Sequence, residues 1–152
     1  MAESELRTIT GVFRKDHEEV GRLLAALDFS TFGKALAGAE AFARRLERHM
    51  AWEEEVLFPA VGRAEPSLAR EDLPVLRAEH ARLRWLSAEV LGLLRERSPK
   101  AERRAAELCE FLAEHSAKED ALVYAAGDRA LSPAEAGEVL AAVELSAARS
   151  RL

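Results

Sequence analysis

Residues 49–60 read HMAWEEEVLFPA. Extended back to Phe42, one face of this segment carries Phe42, Leu46, His49, Glu53, Val56 and Ala60 at the three- and four-residue steps of a helix. Two of those six positions are ionisable and stand one turn apart, where a core-facing stripe asks for leucine. Removing such groups from water without a partner costs on the order of 1–3 kcal/mol each, and more for a charged carboxylate. A histidine and a glutamate turned inward therefore need a compensating partner.

The stretch has a second copy. HSAKEDALVYAA, residues 115–126, aligns with it as H-x-x-x-E-(E/D)-x-x-(L/V)-(F/Y)-x-A. DHEEVGRLL at 16–24 pairs in the same way with EHARLRWLS at 79–87. The first two helical segments thus resemble the next two, an internal repeat at hairpin scale. All four histidines of the chain, His17, His49, His80 and His115, fall inside this repeat, one per segment.

Sparse glycines and prolines divide the chain into these segments. The first spans about Glu5 to Asp28, with Ile9, Phe13, His17, Val20, Leu24 and Leu27 on its stripe. The second spans about Lys34 to Val61, with Pro59 marking the end of its regular hydrogen bonding. The third runs from about Arg70 to Arg97; Pro74 belongs in a first turn, which points to Asp72 as N-cap. Ser98 and Pro99 start the fourth, whose stripe is Leu108, Leu112, His115, Glu119, Leu122 and Ala126. Ser132, Pro133 and Glu135 open a shorter fifth helix, about 133–149. The expected fold is all-α: a single domain over 1–152, an antiparallel up-down four-helix bundle at about 5–126 with a short C-terminal helix against it.

Bulk properties narrow the function. With 49% hydrophobic and 32% charged residues the chain is neither disordered nor membrane-embedded, and no apolar run approaches a span. A net charge of −5 gives no basic footprint for nucleic acid. The start, MAESELRTITG, lacks the layout of a secretory signal, and the lone Cys109 excludes an intramolecular disulfide framework or a cysteine zinc cluster. The expectation is a soluble cytoplasmic protein that binds neither nucleic acid nor membrane.

Within each antiparallel hairpin the two histidines lie at similar distances from the turn, to within about one helical turn. All four imidazoles can therefore share one level of the bundle, with Glu53 and Glu119 a turn further along. Imidazole and carboxylate without thiolate suit iron, manganese or zinc. Four imidazoles and two bridging carboxylates nearly fill two metal ions, leaving a shared water-derived ligand and about one open position each.

On these residues the chain resembles the hemerythrin-like, or HHE cation-binding, domain family over about residues 9–126. The resemblance implies a four-helix bundle holding a non-heme pair of iron ions, oxo- or hydroxo-bridged. It would set His17 and His49 on one iron and His80 and His115 on the other, bridged by Glu53 and Glu119. Oxygen-carrying members place a further histidine one turn before the helix-three ligand, where this chain has Leu76; they also place a bridging aspartate where this chain has Asp120, which stands as the alternative to Glu119. The implied function is binding or sensing of a small oxidant or diatomic gas: dioxygen, nitric oxide or peroxide. Alternatives are a di-iron enzyme consuming peroxide or oxidising iron, or a repair protein for damaged iron–sulfur centres, although the paired cysteines common in repair relatives are missing. Tyr124 is a candidate donor to a bound oxygen species. Asp16 and Glu79 could orient ligands or form surface ion pairs, while Glu18, Glu19, Glu54 and Glu55 read as a solvated face. Trp52, Trp85 and Cys109 read as packing residues.

Overall fold

Thr8 and Thr31 open the first two helices in the way their side chains favour. Thr8 Oγ1 accepts from the Gly11 amide at 2.9 Å and Thr31 Oγ1 from the Lys34 amide at 3.1 Å. In the computed structural model, which describes residues 7–150, α1 is Ile9–Ala25. The expected start at Glu5 lies outside the described residues. A second cap reaches α1 from the far end of the chain, where Asp128 Oδ1 accepts from the Ile9 amide at 2.9 Å.

Helix α2 covers residues 32–64 and is built of Phe32–Trp52, a π-helical turn Glu53–Leu57 and Phe58–Ala64. Helix α3 is Pro66–Arg95. Helix α4 covers residues 101–130 in the same three-part manner: Ala101–Glu119, a π turn Asp120–Tyr124, and Ala125–Ala130. Helix α5 is Pro133–Ser150, opened by Ser132 and Glu135, which bond each other's backbone amides reciprocally. The described residues contain no strand. Each bundle helix packs on the next and α4 returns to α1, so the chain is an all-α bundle with α5 laid against one end.

Two boundaries differ from the sequence reading. Pro74 lies inside α3 rather than in its first turn, and the helix starts at Pro66, not at Asp72. The extra turns bury Leu68 and Leu73, and Gly62 lets them approach: a Cβ there would stand 3.2 Å from that of Ala69. That burial outweighs the single hydrogen bond Pro74 cannot donate. Likewise α2 passes through Pro59 to Ala64. The widened turn just before Pro59 absorbs the missing donor, with the Phe58 amide reaching back to the Glu53 carbonyl and Arg77 donating to the Glu54 carbonyl at 3.3 Å.

The π turns also displace the core stripe. A π turn adds one residue to a turn, so every later position rotates by about 100°. Leu57 and Val123 are buried where the helical count pointed to Val56 and Leu122, and Leu122 is 38% exposed. The core consists of two apolar clusters. One gathers Val20, Phe42, Leu46, Leu83, Leu94 and Leu108 at the loop end between α1 and α2. The other gathers Ile9, Phe13, Leu57, Phe58, Leu76 and Val123 and extends to Val139 and Val143 of α5. The polar stripe residues lie between them.

Candidate metal centre

All six stripe residues that broke the apolar pattern meet in that intervening layer. His49, Glu53, His80, His115 and Glu119 are at most 2% exposed, and His17 is 9% exposed. The imidazole Nε2 atoms face the two carboxylates. His17 Nε2 is 3.0 Å from Glu119 Oε1, as is His115 Nε2. His49 Nε2 and His80 Nε2 lie 3.3 and 3.2 Å from Glu53 Oε1, and His80 Nε2 is also 3.3 Å from Glu119 Oε2. Donor atoms of His17, His49, Glu53 and Glu119 converge within 4.8 Å of one another, and so do those of Glu53, His80, His115 and Glu119. Two groups of four therefore share both glutamates.

The π turns place those glutamates. One begins at Glu53 itself and the other directly follows Glu119. Such turns recur at functional sites because they re-aim side chains without breaking the helix.

Outward from the imidazoles, the Nδ1 atoms are held by a ring of acids that runs once around the bundle. Asp16 of α1 accepts from His49 of α2 at 2.8 Å, and Glu54 of α2 accepts from His80 of α3 at 2.9 Å. Glu79 of α3 accepts from His115 of α4 at 2.8 Å. Asp120 of α4 closes the ring, 3.8 Å from His17 Nδ1. Each acid is in turn paired with a cation on the helix it serves: Arg45, Arg84, Lys118 and Arg14. A carboxylate on the outer nitrogen fixes the ring's tautomer and turns Nε2 to the interior.

This ring revises several readings. Glu54 is part of it, not of a solvated face, whereas Glu18 and Glu55 are exposed. Asp16 and Glu79 orient histidines and form ion pairs at once. Glu119 lies in both donor groups; Asp120 lies outside them, beside Arg14. Trp52 is buried, its indole donating to Ser146 Oγ of α5 at 2.8 Å. Trp85, by contrast, is 47% exposed under the guanidiniums of Arg82 and Arg104, so it is a surface residue.

The electrostatics follow from the same contacts. Burial alone would push His49 down, but Glu53 and Asp16 outweigh it and lift it to about 10. His80 is lifted to about 10 against burial by Glu119 and Glu53. Burial would raise Glu119, yet bonds from His115, His17 and His80 hold it well below the usual carboxylate range. Without a metal the layer is thus a cluster of buried ion pairs. Even so, Glu53 Oε1 and His115 Nε2 are buried without a hydrogen bond, each at a cost on the order of 1–3 kcal/mol. Both atoms point into the donor groups, and a cation there would satisfy them. The residues fit a metal.

A model of the Hemerythrin HHE cation binding domain matches residues 8–127. The chain belongs to the hemerythrin HHE cation-binding family. This hemerythrin domain is accordingly a helical, cation-binding one, of a type that typically takes iron, and its His/Glu groups suit that cargo. The match ends at Gly127, so α5 lies beyond it. Comparison with curated proteins and with solved structures gives no match.

One groove reaches the hemerythrin domain's site layer. It lies between α1 and α4, has a volume of about 470 Å³, and is lined by His17 and by small or apolar residues including Gly21, Leu112, Ala113 and Ala117. Among the described residues no helix is long and apolar enough to cross a membrane.

Proposed function

We propose that this chain holds two iron ions, one between His17 and His49 and one between His80 and His115, with Glu53 and Glu119 shared, and that it binds or senses a small oxidant or diatomic gas. The observation that carries the proposal is the pair of donor groups sharing both carboxylates, with two orphaned atoms aimed into them. A shared pair of carboxylates is the arrangement that keeps two cations close enough to act together.

A ferrous pair supplies the electron density that dioxygen, nitric oxide or peroxide takes up. The chain's residues do the rest. Asp16, Glu54 and Glu79 hold three imidazoles with Nε2 inward, so the donors need no rearrangement to receive a cation. The two apolar clusters exclude bulk water from both ends of the layer. The groove beside His17 is narrow and mostly apolar, which suits a small neutral molecule and not a large or charged one. Tyr124 brings a hydroxyl into the same interior, donating to Glu53 Oε2 at 2.6 Å.

The test is to load the protein anaerobically with ferrous iron and mix it separately with dioxygen, nitric oxide and peroxide. The expected result is a stoichiometric change in the visible spectrum with at least one of them. Sustained consumption of excess peroxide would move the reading to an enzyme. A loaded protein inert to all three would refute it.

A further inference from the structure

The two halves of the layer are related by the internal repeat, and the repeat breaks at one atom. Phe58 and Tyr124 occupy equivalent positions, nine residues after His49 and His115 respectively. Both are fully buried. The Phe58 ring stacks on His80, with centroids 5.6 Å apart and an interplanar angle of 15°. The Tyr124 ring packs against His17 at 5.1 Å, and its hydroxyl lies 2.8 Å from His17 Nε2, 3.3 Å from His49 Nε2 and 2.6 Å from Glu53 Oε2.

Those three distances have a simple geometric reading. Nitrogen and oxygen donors sit about 2.0–2.2 Å from a first-row cation, so neighbouring donors on one ion are separated by about 3 Å. The spacing within the His/Glu groups, 3.0 Å for His17 to Glu119 and 3.3 Å for His49 to Glu53, is of that kind. The Tyr124 hydroxyl stands at the same spacing from three members of the first group. It is placed as a member of that group and not as a neighbour behind it.

We infer that Tyr124 is a seventh protein donor, specific to the His17/His49 metal position, and that it makes the two positions unequal. The inference rests on the di-iron reading above. With it, the His17/His49 position has two imidazoles, two shared carboxylates and a phenol oxygen. The His80/His115 position has one donor fewer, because Phe58 puts a hydrocarbon ring where the other half has a hydroxyl. For ions that take about six donors, the vacancy for an external ligand falls on the His80/His115 position. Leu76 removes one possible source of asymmetry from the site, and Tyr124 supplies another. On binding ferric iron the phenol O–H bond gives way to an oxygen–metal bond; the proton passes to solvent and no electron moves.

Phenolate bound to ferric iron has a charge-transfer band in the visible, and excitation into it enhances phenolate ring modes in the resonance Raman spectrum. The experiment compares iron-loaded, oxidised wild type with Tyr124→Phe, measuring iron per chain, absorption, Raman and Mössbauer spectra. The expected result is about two irons per chain in both proteins. Ring modes and band appear in the wild type and are lost in the variant, and two unequal iron signals in the wild type become more alike. Two irons per chain with no phenolate modes in the wild type, or with a band that survives Tyr124→Phe, would overturn the role of Tyr124 and leave the di-iron reading standing. A wild type that takes up no iron would overturn both. The wild-type Raman spectrum decides the point even where the variant folds poorly.

Discussion

His49 shows how a buried ionisable side chain is tolerated at the residue scale. One nitrogen faces Glu53, the other faces Asp16, and Asp16 is itself held by Arg45, so every charge has an opposite neighbour. The protein without metal should carry a pH signature of this arrangement. His49 and His80 are lifted from 6.5 to about 10, so the unfolded chain releases their protons before the folded one does. Their stabilisation is fully present below about pH 6.5 and is lost as pH rises towards 10. Glu119, held low, contributes above about pH 4.5 and loses its contribution as pH falls through its folded value. Thermal unfolding of chelated protein should therefore be latest between about pH 4.5 and 6.5 and come progressively earlier from 6.5 to 10. A melting temperature that is level across the alkaline range would contradict the paired-charge description.

At the scale of elements, the α2–α3 corner depends on Gly62, where a side chain would press on Ala69 and Leu73. Gly92, within α3, has nothing near its absent Cβ. The same substitution should then act in opposite directions. Gly92→Ala should raise stability by about 0.5–1 kcal/mol through reduced unfolded-state freedom. Gly62→Val should lower it by about 1–3 kcal/mol through overpacking. Denaturant unfolding of both variants checks the pair, and equal effects would show that the corner has more room than the structure gives it. The elements also mark where the sequence was legible. The 3.6-residue stripe read correctly as far as His49, Glu53, His115 and Glu119, because those positions precede the π turns. It slipped by one after them, at Val56 and Leu122, because a π turn leaves no compositional trace in a helix of ordinary residues. Pro74 was misread for a related reason: local propensity places it in a first turn, whereas distant burial of Leu68 and Leu73 decides where α3 begins. Glu54 was misread because its neighbours in sequence are glutamates and its partner, His80, is on another helix. A signal for the acid ring existed nonetheless, since Asp16, Glu54, Glu79 and Asp120 each adjoin a stripe His or Glu.

For the whole molecule, the arrangement is a polar layer between two apolar clusters, wrapped by a ring of acids and an outer ring of cations. The hairpin repeat explains the near-symmetry: α1 with α2 and α3 with α4 contribute the same residue types at the same level. Such a layer costs stability in a chain without metal, where Glu53 Oε1 and His115 Nε2 lack partners, and returns it when a cation binds only the folded state. The central claim is that this layer is a two-ion site. It is tested most directly by measuring iron per chain, after anaerobic loading with ferrous iron and removal of excess, alongside the melting temperature. The account predicts about two irons per chain and a higher melting temperature than that of the chelated protein. A folded chain that retains no iron, and melts at the same temperature with or without it, would show that these histidines and glutamates are a self-sufficient ion-pair core.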